Sequence, residues 1–139
     1  MRAIAFFVLS CFASSATAES WLCVSDDNVG FDYDKSKKTW VQARFSMEEK
    51  FVVRPSKVRD YKWEVIEVGE EFPSYYCDKD FTESGYLTCA TGSDFRFNKK
   101  TLRFTVESTH GFFGDVEALA KRGQRPDSMY VMYGRCTSI

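Results

Sequence analysis

Residues 75–104 constrain the fold more than any other stretch. Two cysteines, Cys77 and Cys89, flank a turn-rich segment there, and two alternating runs follow the second cysteine. Phe95 and Phe97 share one parity, and Leu102, Phe104 and Val106 share another, with the polar Asn98-Lys99-Lys100-Thr101 between them. Alternation of this kind marks strands that bury one face and leave the other wet. The stretch reads as a disulfide-stapled hairpin followed by a second hairpin.

The cysteine arithmetic depends on the N-terminus. Arg2 is a basic n-region, residues 3–12 are a short apolar run, and Ala16-Thr17-Ala18 is a small-residue cleavage site. That pattern predicts a secretory signal peptide over residues 1–18, cut before Glu19, and a single β domain over residues 19–139. Lipid attachment through Cys11 is the weaker reading, because Leu9-Ser10 fits an attachment box poorly. No later apolar run reaches the ~18 residues of a transmembrane helix.

Of five cysteines, Cys23, Cys77, Cys89 and Cys136 remain in the mature chain. An even number in an exported chain predicts two disulfides and a periplasmic or secreted location. Three pairings are open; Cys77–Cys89, closing a short loop, and Cys23–Cys136, tying the chain ends, are favoured. A metal site is not expected, since there is no C-x-x-C pair and His110 is the sole histidine. Without Arg2 the chain carries 18 basic and 20 acidic side chains, which gives no general electrostatic case for nucleic acid.

The remaining segments extend the β pattern. Residues 21–25, then 29–33 after the turn-like Asp26-Asp27-Asn28, read as two strands. Residues 40–45, with Val41, Ala43 and Phe45 on one face, follow the polar turn 34–38 that holds Lys35, Lys37 and Lys38. A polar break at 47–50 leads into a strand at 51–54, ended by Pro55. Residues 61–68 alternate in two parities, predicting a β-bulge near Val65-Ile66. Residues 128–133 make the last strand. Only residues 115–122 break the pattern, with an acid at the start, bases at the end and Gly123 after them; they predict one short helix carrying Val116, Leu119 and Ala120 on one stripe. The sum is an all-β domain, a small antiparallel barrel or sandwich, and the chain's 23 aromatic residues, 20 of them in residues 19–139, suit its bulky interior.

Several strings occur together: W-L-C, G-F-D-Y-D, K-F-V-V-R-P-S, E-V-G-E-E-F-P, C-D-K-D-F, G-Y-L-T-C, F-R-F-N-K-K-T-L-R-F and the closing G-R-C-T-S-I. The set resembles a family of small exported alphaproteobacterial proteins with no assigned activity. The resemblance implies export and one domain, and it carries over no catalytic residue; the insert at 114–127 lies outside it. Thr91-Gly92-Ser93-Asp94-Phe95 is also similar to the S-G-x-x-Y loop of the periplasmic inhibitors of c-type lysozyme. That similarity implies an inhibitory loop at Thr91 and Ser93, with Lys99 or Lys100 as the basic residue that follows.

Catalytic constellations are thin. Ser108, His110 and Asp115 are near in sequence, but they read as a strand terminus and not a nucleophile–base pair. Asp78, Asp80 and Glu83 resemble half a calcium loop that lacks its turn glycine and its closing glutamate, so they read as a solvated loop. Glu64, Glu67, Glu70 and Glu71 read as the solvent face of a strand. The aromatic pairs Tyr75-Tyr76 and Phe112-Phe113, with Tyr130 and Tyr133, must each point some rings outward. The sequence therefore favours a non-enzymatic binder of a protein or envelope component, with no cofactor, no metal and no nucleic-acid partner. An inhibitor of a lytic enzyme and a small secreted hydrolase are the alternatives. Phe112, Phe113, Val116 and Leu119 are the expected rim of the binding site, with Thr91, Ser93 and Lys100 the expected inhibitory contacts.

Overall fold

The computed structural model describes residues 19–139 apart from Met47 and Gly92, and of Thr91 only the backbone. The signal peptide read in residues 1–18, with Cys11, lies outside the described residues.

Among the described residues, nine strands form one antiparallel sheet: β1 (Trp21–Asp34), β2 (Thr39–Arg44), β3 (Lys50–Pro55), β4 (Trp63–Glu67), β5 (Tyr75–Cys77), β6 (Tyr86–Thr91), β7 (Ser93–Asn98), β8 (Arg103–Ser108) and β9 (Met129–Ser138). Between β8 and β9 lie a single turn, α1 (His110–Phe113), and the predicted helix, α2 (Val116–Lys121). The strand order is β5-β4-β3-β1-β9-β8-β7-β6, with β2 on the outer half of β1, and the sheet curls into a nearly closed barrel. Both favoured disulfides are present. Cys23–Cys136 joins residues that face each other in the β1–β9 ladder, and Cys77–Cys89 bridges the edge strands β5 and β6.

Two expected strands are one. Asp26-Asp27-Asn28 is not a turn but a β-bulge, where the β1–β9 register shifts between Ser25 and Asp27. The extra residue flips the strand's parity, so Trp21, Cys23 and Ser25 face inward before it and Asn28 faces inward after it. The bulge predicted at Val65-Ile66 is absent, because β4 pairs with β3 without interruption from Trp63 to Glu67. Tyr61 and Val68 fall outside that strand and are exposed.

Glu64 is a third correction. It does lie on the outward face of β4, yet it is only 1% exposed. The 56–62 loop folds back over it: Glu64 accepts hydrogen bonds from Arg54 Nε at 2.7 Å, from Ser56 Oγ at 3.2 Å and from the Lys57 N–H at 3.2 Å. Burial pushes this carboxyl up, but the three bonds outweigh burial and hold it below the ordinary range.

The core divides by height. Trp21 packs with Trp63, Phe81 and Phe97 at ring separations of 5.2 to 5.6 Å, and Phe81 also meets Trp63 and Phe97, an aromatic plug at one end. In the middle Phe95 and Phe104 stack and Phe51 meets both edge-on, beside the buried half-cystines. The predicted helix is capped as its sequence dictates. Asp115 accepts from the Ala118 N–H at 2.9 Å, and Gly123, at φ 72°, closes a Schellman turn through Gly123 N–H to Ala120 O and Gln124 N–H to Leu119 O. The turn α1 was not expected from the sequence.

Candidate functional site

The end of the barrel opposite the aromatic plug is open. The strand directions bring Asn28 of β1, Ser93 of β7, Ser108 of β8 and Tyr130 of β9 to this end, with Glu49 just before β3. They line a cleft of about 650 Å³. Phe45, after β2, forms part of its wall and packs edge-on against Tyr130, with ring centroids 6.0 Å apart. The rim comes from both ends of the β8–β9 excursion: His110 from one, and Arg125, Pro126 and Asp127 from the other. Gly111 holds those ends together, since a Cβ there would run into the Asp127 carbonyl.

The mouth is rich in hydrogen-bond acceptors. Asn28 is 3% exposed, and its Oδ1 is buried without a partner. Glu49 is half-buried, and burial, followed by repulsion from Glu67, raises its carboxyl above the ordinary range. Glu67 faces inward with its ladder partner, the core residue Phe51. Burial also raises the phenols of Tyr130 and Tyr75, and the charges of Glu49 and Glu67 add to both shifts. Ser93 Oγ donates to the Tyr75 hydroxyl at 3.1 Å, which partly offsets the shift on Tyr75. The rim cation Arg125 is engaged elsewhere: it lies 3.6 Å from Asp32, which also accepts from Ser128 Oγ at 2.8 Å.

The expected site residues separate into three places. Ser93 lies in the mouth, and Thr91 faces it across the β6–β7 hairpin. Lys100 stands beyond the far end of β7, where its Nζ donates to the Glu83 carbonyl at 2.8 Å, so the strand separates it from the 91–95 segment. Phe112 and Phe113 are 61% and 84% exposed on α1, next to the rim residue His110. Phe112 contacts Trp40 of β2 at 6.1 Å. Val116 faces a second groove, between α2 and the β1–β2 hairpin, and Leu119 is half-buried. Asp80, read as a loop residue, accepts from Trp63 Nε1 at 2.8 Å and from its neighbour's N–H.

Ser108 and His110 share the mouth, but no hydrogen bond joins them among the described residues. Asn28, the most enclosed polar group of the mouth, and the half-buried Glu49 were missed by the sequence reading. The signal for Asn28 was a polar residue inside what proved to be a continuous strand; Glu49 lay two residues before Phe51, on the same parity. No protein-family model, no curated protein and no solved structure matches the chain.

Proposed function

We propose that the protein is an exported binding domain, without catalysis of its own, that engages a protein or envelope component through the open mouth of its barrel. One observation carries this reading. The acceptors Asn28, Glu49 and Tyr130 converge on a single open cleft, while an aromatic cluster fills the other end. Barrel mouths are a favoured place for ligand sites, and a cleft of this volume lies within the usual range for them. The exposed Phe112 and Phe113 stand beside the rim, where aromatic side chains supply contact area to a partner. Two disulfides suit an oxidising compartment, and no helix among the described residues is long and apolar enough to cross a membrane.

The test is capture from envelope extract by the oxidised protein and by a variant whose mouth is filled, Ser108→Trp. The reading expects a discrete species retained by the parent and lost by the variant, with both proteins melting within a few degrees of each other. Equal retention by both would place the binding site elsewhere.

A further inference from the structure

We propose that the mouth recognises a positively charged nitrogen, an ammonium or guanidinium group carried by a free amine or by a Lys or Arg side chain of a partner. The inference rests on the mouth being the binding site and adds the chemistry that the mouth selects.

Glu49 and Glu67 place two carboxylates on the inner face of one barrel end, and among the described residues neither meets a cation within ion-pair distance. Other acids of the barrel wall are neutralised: Asp27 by Arg44, Asp26 by Arg135, Glu64 by Arg54, and Asp94 and Glu107 by Arg96. A half-buried carboxylate left unpaired beside a second one is costly in the free protein and is relieved by an incoming cation.

The carboxamide of Asn28 is an independent pointer. Its strand parity turns it into the mouth, it is 3% exposed, and its Oδ1 has no partner. An ammonium presents three donors, and Glu49, Asn28, Tyr130 and Ser108 are acceptor-bearing side chains that line the mouth. The rings of Phe45 and Tyr130 supply the aromatic faces that favour an organic cation. A calcium ion would need about six to eight oxygen ligands, carboxylates prominent among them, and no cluster of three His, Cys, Asp or Glu side chains occurs among the described residues.

Calorimetric titration of the exported, oxidised protein tests this with defined probes: pentane-1,5-diamine, capped lysine amide, capped arginine amide, the neutral Nε-acetyl form of the lysine probe, and calcium chloride. At least one cationic probe should bind. Its affinity should fall about ten-fold or more on Nε-acetylation and on Glu49→Gln. Glu67→Gln should weaken it less. Tighter binding of the diamine assigns the group to a free amine, and tighter binding of a capped residue assigns it to a partner's side chain; either supports the proposal. Equal binding of the neutral probe, undiminished binding by Glu49→Gln, binding of calcium alone, or no binding would overturn it. If no probe binds while Ser108→Trp still abolishes envelope capture, the cation inference falls and the mouth remains the site. If capture survives Ser108→Trp, the reading beneath it falls as well.

Discussion

Cys77 in β5 and Cys89 in β6 join the two outermost strands of the sheet order, across a seam that no ladder closes among the described residues. Cys23 and Cys136, by contrast, link strands already paired residue by residue. Chain entropy assigns about 3 kcal/mol to the short loop and about 4.7 kcal/mol to the long one. The two bonds should therefore fail differently. Cys23→Ser/Cys136→Ser should lower global stability more, while Cys77→Ser/Cys89→Ser should lose amide-exchange protection first in β5 and β6. Uniform loss of protection in both variants would mean that the seam is not a separate unit.

The Arg54–Glu64 pair gives a second expectation. Removing one partner of a buried pair leaves an uncompensated charge, so Arg54→Met should cost about 3 kcal/mol in denaturant unfolding. Arg54→Met/Glu64→Met should recover most of that. The folded-state carboxyl of Glu64 is lowered below the ordinary glutamate value, so its contribution is present above that value and is lost as pH falls through the folded one. Glu64→Gln should flatten that acid limb of the stability profile. An unchanged profile would contradict the pairing.

Glu49 works in the opposite direction. Its folded-state carboxyl is raised above 4.5, with Glu67 and Tyr130 as neighbours and Arg125 held by Asp32. A raised carboxyl favours the folded state below its unfolded value, and that advantage is lost as pH rises through the folded value. At neutral pH Glu49→Gln should thus melt slightly higher than the parent, by about 1 to 3 °C, while losing the cationic probe. Residues kept at a cost to stability are characteristic of functional sites. A lower melting temperature for Glu49→Gln would show that Glu49 has a structural partner.

The ring of Phe113 is 84% exposed, so Phe113→Ser should leave the melting temperature within about 1 °C, as surface substitutions do. If α1 is part of the partner contact, envelope capture should fall in the same variant. Undiminished capture would confine the contact to the mouth.

Much of the barrel was legible in the sequence because its signals are local. The alternation of Phe95, Phe97, Phe104 and Val106, the cap at Asp115 and the glycine after α2 each act within a few residues. The even number of cysteines implied two disulfides, and of the three open pairings the favoured one is present. The mouth was not legible. Its groups come from five separated segments, and its key asparagine directly follows a bulge, in an Asp-Asp-Asn sequence that carries the composition of a turn. Glu64 was misread for a related reason: period-two alternation names the face of a residue but not the loop that later covers it. Glu67 was assigned to the solvent side, while its register opposite Phe51 turns it inward.

The most direct measurement is the titration of the Glu49 side-chain carboxyl by carbon-13 NMR, in the free protein and with the tightest cationic probe present. The account predicts a midpoint above 4.5 in the free protein, displaced downward when the probe is bound, because a nearby cation favours the carboxylate. A Glu49 midpoint that stays where it was on saturation with the probe would contradict it.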